Sequence, residues 1–183
     1  MTTAGQAHDD RYPSEPASAL EIMMDRYGTA VLRTAYFYLG DRHLAEDASQ
    51  EAFLRAYRHW PRFQGKSRVH TWLTRIVINV CRDKMRLKRT SAEEPTDPIE
   101  LKGTPRISVE EEALARLSRT VILQQVLKLP AHYHEVLYLY YYLEFSTKEI
   151  AEVIDLPEGT VRGRLHRARQ LLGERLREEG YTP

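Results

Sequence analysis

Residues 146–165 have the sequence STKEIAEVIDLPEGTVRGRL, which predicts a helix-turn-helix. Ser146 followed by Glu149 forms a capping box that starts a short helix, and residues 155–157 are typical of a tight turn. Ala151 is small enough to let a longer basic helix approach closely. Apolar residues at helical spacing are predicted to pack between the two helices, namely Ile150, Ile154, Leu156, Val161 and Leu165. An ordinary antiparallel helix pair is the alternative interpretation of this pattern.

The outer face of the longer helix carries groups suited to DNA. Outward Arg and His side chains can hydrogen-bond to base edges in a major groove, and N–H groups at a helix N-terminus can hold phosphate. The residues predicted to lie on this outer face are Gly159, Thr160, Arg162, Gly163, His166 and Arg169.

A second basic stripe lies earlier in the chain, on a helix whose apolar face runs from Val69 to Val80. Four arginines recur on it at intervals of seven residues, which is nearly two helical turns, so they share one face. They are Arg68, Arg75, Arg82 and Arg89, with Asn79 and Arg86 between them and Trp72 at the border. Such a face suits a nucleic-acid backbone with stacking on exposed bases. The alternative is an ordinary charged surface with Trp72 in the core.

The helix before this one has a different surface. Leu44, Ala48, Ala52, Ala56 and Trp60 form its packing stripe at steps of four. An acidic patch lies on the opposite side, made of Asp47, Gln50, Glu51 and Leu54. Since an acidic patch cannot bind DNA, a protein partner is one interpretation and a solvated face is the other.

The 183 residues divide into two predicted all-α domains, at 19–89 and 108–178. Residues 1–18 are polar and are expected to be a disordered tail. A flexible linker is expected over 90–107, which holds three prolines and a run of acids. The fold class predicted is therefore two small helical domains joined by a flexible linker, the second with a helix-turn-helix.

Charge and composition exclude several classes of protein. The net charge of +1 is the sum of segments with opposite charge. Residues 62–89 are basic, with nine Lys and Arg against one Asp, and residues 93–112 are acidic. The single cysteine, Cys81, excludes a disulfide framework and zinc sites with several cysteines. No phosphate-binding glycine loop or nucleophile motif supports an enzyme, and His132 and His134 are badly spaced for a metal pair. We expect no catalytic residue, metal or cofactor.

No apolar run is long enough to cross a membrane, and the N-terminus lacks the basic start and apolar stretch of a secretory signal. A cytoplasmic protein without membrane insertion of its own is therefore expected.

Three segments resemble the sigma-70 family of RNA polymerase sigma factors. Residues 41–57, DRHLAEDASQEAFLRAY, resemble region 2.2, and residues 71–86, TWLTRIVINVCRDKMR, resemble regions 2.3 and 2.4. Residues 129–169 resemble region 4. The order of these motifs, with a short linker and no other regions, is that of the extracytoplasmic-function (group IV) subfamily.

The resemblance implies partners and roles. It implies that Asp47, Gln50, Glu51 and Leu54 dock on core RNA polymerase at the β′ clamp helices, with further contact to the β subunit. It implies that promoter DNA at the −10 element binds Phe63, Lys66, Ser67, Arg68, Trp72, Arg75, Asn79, Arg82 and Arg86. It implies that the −35 element binds Gly159, Thr160, Arg162, Gly163, His166 and Arg167. Gly163 departs from the family, where serine is frequent, so one hydroxyl contact to phosphate is missing.

The family resemblance also implies an anti-sigma factor that blocks these surfaces, and an acidic linker that crosses the polymerase near its cleft. Two other functions compete with this interpretation. A stand-alone helix-turn-helix regulator would bind duplex DNA as a dimer, without needing the arginine stripe or the acidic patch. A helical adaptor that binds no DNA would leave the outward Arg162 and His166 unexplained.

Overall fold

A computed structural model describes residues 12–91, 125–126, 128–178 and 180. Its helices are α1 (Pro16–Leu39), α2 (Arg42–His59), α3 (Val69–Ser91), α4 (Ala131–Leu137), α5 (Thr147–Ile154) and α6 (Glu158–Glu178). A 3₁₀ turn, Trp60–Arg62, follows α2, and a π-helical segment, Tyr138–Tyr142, follows α4. The described ranges contain no strand, which confirms the predicted all-α class. Within those ranges, none of the helices combines the length and apolar character needed to cross a bilayer.

Helices α1 to α3 form the amino-terminal unit. Gly40 ends α1 in the left-handed region at φ 65°, where glycine has no steric penalty. The Asp41 side chain then accepts a hydrogen bond of 2.9 Å from the Leu44 N–H and starts α2. A row of fully buried alanines on α2 allows α1 and α3 to pack closely against it; these are Ala45, Ala48, Ala52 and Ala56.

The start of α1 differs from the prediction of a disordered tail over 1–18. The helix begins at Pro16, and the Glu15 carboxylate accepts from the N–H groups of Ala17 and Ser18. The Trp60 indole N–H donates to the Pro13 carbonyl at 2.9 Å, and the Tyr12 ring packs edge-on to the same indole. Residues 12–18 therefore belong to the folded unit. Residues 1–11 lie outside the described part of the chain.

The carboxyl-terminal unit comprises α4 to α6, packed around a small apolar core of Val136, Leu139, Ile150, Val153, Val161 and Leu165. The π-helical segment holds four tyrosines, which at neighbouring positions of a helix cannot all face the core. Tyr138 and Tyr140 are half-buried, whereas Tyr141 and Tyr142 are exposed. The linker predicted over 90–107 lies outside the described residues except for its first two, which are part of α3.

The two units pack against each other, and α3 lies along α5. Buried residues of both units form one continuous cluster. The sequence predicted two domains and a linker but gave no indication of this docking.

Cys81 is fully buried on α3. Burial raises the pKa of its thiol to about 12, so the thiol stays protonated at neutral pH. Because the thiolate is the reactive form, this buried cysteine acts as a packing residue.

Candidate nucleic-acid and polymerase interfaces

The helix-turn-helix is formed as predicted. The Ser146 hydroxyl accepts from the Glu149 N–H, and the Glu149 carboxylate accepts from the Ser146 N–H at 2.9 Å, which completes the capping box. Asp155 ends α5 in the left-handed region at φ 58°, with its N–H bonded to the Ala151 carbonyl. The Thr160 N–H donates to the Pro157 carbonyl at 2.9 Å and starts α6. This geometry fixes α6 against α5 and leaves one side of α6 open.

The open side of α6 carries all six residues predicted for the −35 element: Gly159, Thr160, Arg162, Gly163, His166 and Arg167 are exposed. Arg162 forms an exposed ion pair with Glu158, one turn earlier, at 3.1 Å. A shallow depression of about 350 Å³ runs beside this face and is lined by His132, Tyr133, Gly163, Arg164 and Arg167. The surface carries two arginines and a histidine and no large apolar side chain, which suits a helix face that enters a DNA groove.

Arg169 was also predicted to point outward, and it is exposed. Its Nε donates to the Tyr141 hydroxyl at 2.9 Å, and its guanidinium lies 5.1 Å from the centre of the Tyr140 ring. This side chain of α6 is therefore held by the π-helical segment that follows α4.

The residues predicted for the −10 element divide between a loop and a helix face. In the loop after Trp60, Gly65 adopts φ 65°, and an open depression of about 400 Å³ is lined by Phe63, Gly65, Lys66, Ser67, Arg68 and Val69. The Phe63 ring stacks on Trp60 at 5.1 Å and lies 4.9 Å from Trp72. Trp72 is half-buried in this aromatic cluster, so it supports the loop from beneath as well as bordering the arginine face.

The structure has the predicted arginine face on α3, but not all of its side chains are fully exposed to solvent. Arg75, Asn79 and Arg86 are exposed, while Arg82 is half-buried. Arg82 bonds to Glu135 at 3.0 Å, and Arg68 bonds to Glu149 through its Nε at 2.7 Å. Both carboxylates belong to the carboxyl-terminal unit. Arg89 falls outside the residues whose side chains are described.

The two carboxylates are functional candidates that the sequence reasoning missed. Glu149 was assigned only to the capping box, and Glu135 was not singled out. Burial of the Glu149 carboxyl raises its pKa, but hydrogen bonds from Ser146, Arg68 and Thr71 outweigh that effect, so the pKa lies below its ordinary value. The carboxylate is therefore ionised at neutral pH. Glu149 and Arg68 are 81 positions apart, and Glu135 and Arg82 are 53 apart. Contacts between residues so distant in sequence leave no signal in helical periodicity.

The acidic patch on α2 is exposed. Asp47 and Gln50 face solvent, and the apolar Leu54 side chain beside them is 49% exposed. Glu51 is half-exposed and pairs with Arg55 at 2.8 Å. The hydrogen bond from Arg55 lowers the pKa of Glu51, which keeps it ionised. Exposed Tyr57 extends the patch; it lies three residues after Leu54, a spacing that could have identified it.

Comparison with known proteins matches segments of both helical units to one family. Residues 23–90 match the family model of sigma-70 region 2, and residues 119–172 match that of sigma-70 region 4. The chain is 35% identical over 168 residues to the ECF RNA polymerase sigma factor SigW of Bacillus subtilis, covering 87% of this chain and 90% of SigW. It is 32% identical over 168 residues to SigL of Mycobacterium tuberculosis, covering 91% of this chain and 93% of SigL.

Two solved structures share the fold. One is CnrH in complex with the cytosolic domain of CnrY, with a TM-score of 0.62, 22% identity and coverage of 91% of this chain and 99% of that chain. The other is the sigma factor RpoE in complex with the anti-sigma factor NepR from Bartonella quintana, with a TM-score of 0.64, 20% identity and coverage of 86% and 96%. Together with the region 2 and region 4 matches, the relatives show that the chain belongs to the sigma-70 family as an ECF RNA polymerase sigma factor.

Proposed function

We propose that this sigma factor divides promoter recognition and polymerase binding among three separate surfaces. The outer face of α6 reads the −35 element, the 63–67 loop with the arginine face of α3 captures the −10 element, and the acidic patch of α2 binds core polymerase. The observation that carries this assignment is the exposed basic face of α6 on a fully formed helix-turn-helix. The chain itself performs no covalent chemistry in this scheme.

At the −35 element, Arg162 and His166 lie one turn apart near the start of α6, where they can reach base edges. The N-terminus of α6 around Gly159 is placed to attract a phosphate, because a helix N-terminus attracts anions, while the Thr160 N–H is already bonded to the Pro157 carbonyl. Arg167 borders the depression beside the helix and supplies a further backbone contact.

Arg162→Ala should relax selection at individual −35 bases. A bidentate Arg–base contact contributes about 1–3 kcal/mol of discrimination at its position. Binding to a library of −35 variants measures the effect, and Arg177→Ala, at the exposed far end of the same helix, is the matched control. A uniform loss over the whole library would instead make Arg162 a phosphate contact.

Gly163→Ser should strengthen −35 binding by about threefold to tenfold, because it returns a hydroxyl that can donate to phosphate. A Cβ at Gly163 meets no atom within 4 Å, so the side chain fits without rearrangement. Serine also favours a helix over glycine by about 0.5 kcal/mol, which a melting curve would detect. Gly163→Ala is the control, since it gains helix stability without the hydroxyl. Equal affinity of the Ser and Ala variants would contradict a phosphate contact here.

At the −10 element, the depression in the 63–67 loop provides a place for an unpaired base. Its volume of about 400 Å³, its basic rim and its aromatic floor suit a flipped nucleotide. The exposed Arg75 and Asn79 extend from it along α3 and are placed for the backbone and bases of the melted strand. Base capture would then supply the free energy for strand opening.

On α2, Leu54 and Tyr57 add apolar area to the carboxylates of Asp47 and Glu51. A surface of this kind fits a basic helical partner, which supports docking on the β′ clamp helices, with the β subunit as a second contact. Solved relatives with this fold are bound to NepR, an anti-sigma factor, and to CnrY. We expect this chain to have an anti-sigma partner too, and to act in the cytoplasm, where polymerase and DNA are.

Reconstitution with purified core RNA polymerase tests the proposal. The expected result is tight binding to core enzyme, followed by transcription that starts at specific promoters. A stand-alone helix-turn-helix regulator would bind duplex DNA but not core enzyme, and an adaptor would bind neither. Sequencing the 5′ ends of the transcripts would also identify the −35 and −10 elements.

A further inference from the structure

We propose that Glu158, the first residue of α6, sets −35 specificity as a positioning residue, by holding the Arg162 guanidinium in place for its base. We call the contact of Thr147, Glu158 and Arg162 the carboxylate clamp. The inference rests on the proposed −35 role of α6 and adds to it a residue that contacts no base itself.

The carboxylate clamp joins the starts of the two helices of the helix-turn-helix. Thr147 is the first residue of α5, and its hydroxyl donates to the Glu158 Oε1 at 2.6 Å. The same oxygen lies 3.1 Å from the Arg162 Nη2, one turn further along α6. One carboxylate oxygen thus receives both contacts, so the position of Arg162 depends on a residue of the other helix.

The Glu158 carboxylate carries its charge at neutral pH. The hydrogen bond from Thr147 has the largest effect on the pKa of Glu158 and lowers it; burial opposes this effect, and the charge of Arg162 lowers the pKa further. The net pKa lies below its ordinary value. A negative charge also suits the first turn of a helix, where the partial charge of the helix is positive. Arg162 therefore has a permanent anion beside it.

This ion pair contributes little to folding stability. The Glu158 side chain is 38% exposed and that of Arg162 is 66% exposed, and exposed pairs one turn apart on a helix are weak. The packing of α5 against α6 already rests on buried Ile150, Val161 and Leu165. The main consequence of the clamp is therefore order in the Arg162 side chain, which at an exposed position would otherwise sample many rotamers.

A clamped Arg162 can still bind a base. A guanidinium has five N–H donors, and the contact with Glu158 leaves enough of them for a bidentate contact with the O6 and N7 of a guanine. The carboxylate repels phosphate, so the clamped pair favours a base edge over the DNA backbone. A side chain held in one place also loses less entropy on binding the correct base and adapts less readily to a wrong one.

The test uses the full chain assembled with core polymerase. The probe is a pool of duplexes that carry a promoter identified from transcript 5′ ends, with its −35 region randomised. Glu158→Ala removes the carboxylate, and Thr147→Val removes the hydroxyl without changing the charge. Both should reduce selection by about threefold to tenfold at the base position that Arg162→Ala identifies, as expected when one long side chain loses its order. Selection at the other −35 positions should stay unchanged.

Two control variants accompany these measurements. Thr147→Ser keeps the hydroxyl and should select bases as the unmodified chain does. Glu174→Ala removes the same charge from an exposed position further along α6 and should do the same. Melting curves of Glu158→Ala and Thr147→Val should match that of Glu174→Ala, because the clamp lies at the surface.

Glu158→Ala combined with Arg162→Ala separates positioning from direct contact. If Glu158 acts only through Arg162, the double variant should show the same base selection as Arg162→Ala alone. An additional loss would mean that Glu158 contacts a base itself, which overturns the clamp. Unchanged selection by both Glu158→Ala and Thr147→Val overturns it as well, while the effect of Arg162→Ala keeps the −35 assignment. If Arg162→Ala changes selection at no base, the proposed −35 role of Arg162 fails, and the clamp fails with it.

Discussion

Glu51→Arg is expected to abolish holoenzyme formation at concentrations where the unmodified chain is saturated with core polymerase. The change places a positive charge in the acidic patch, opposite the basic partner that this patch is proposed to bind. We expect the affinity for core enzyme to fall by roughly a hundredfold or more, because like charges in contact are strongly unfavourable. A titration of core enzyme measures the effect directly.

The fold should survive this substitution. Glu51 lies at the surface, and the ion pair with Arg55 that it loses is an exposed pair within one helix, which contributes little to stability. Arg55 keeps its contact with Asp83 at 3.2 Å. Glu174→Arg, at an exposed position of α6, makes the same charge change away from the patch. If both variants bind core polymerase as well as the unmodified chain, the α2 face is not the docking surface.

The combination of Arg75→Ala and Asn79→Ala should leave holoenzyme assembly intact and prevent opening of the −10 region. Both side chains are exposed on α3, so their removal does not disturb the core. A hydrogen bond to a charged group contributes about 1.5–3 kcal/mol, and losing two contacts of this kind should shift a balanced opening equilibrium by about 100-fold or more. Permanganate reactivity of unpaired thymines in the −10 region measures the open fraction.

A template with a pre-melted −10 bubble decides how this loss arises. The bubble removes the need for strand opening, so it should restore transcription by the double variant. Thr29→Ala with Arg177→Ala, which removes one polar and one basic group from exposed positions elsewhere, should open the unmodified promoter normally. Failure of the bubble to rescue transcription would remove the melting role from this part of α3.

Local signals made the helices and their ends predictable. The Ser146–Glu149 capping box starts α5 as predicted, and Gly40 ends α1; both are signals that act within a few residues. The outward faces of α3 and α6 followed from helical periodicity for the same reason. The break between α2 and α3 was also predictable, because a proline and a glycine lie between their apolar stripes.

Contacts between distant residues were not predictable. The folded start at Tyr12 and Pro13 depends on Trp60, and the packing of the two units brings Glu135 to Arg82 across 53 positions. Neither contact has a periodic signature, since each side chain looks like an ordinary polar or aromatic surface residue in its own segment. The π-helical segment adds to this difficulty, because its wider turn changes which tyrosines face the core.

The aromatic cluster beneath the 63–67 loop has a spectroscopic consequence. The chain has two tryptophans, Trp60 and Trp72, and their rings are 5.9 Å apart beside the depression assigned to the −10 base. Intrinsic tryptophan fluorescence therefore originates entirely from this one site. A nucleotide entering the depression would change the emission, whereas DNA bound only along the recognition helix would leave it unaltered. The protein thus carries a label-free optical reporter that can follow −10 capture in real time and separate it from −35 binding.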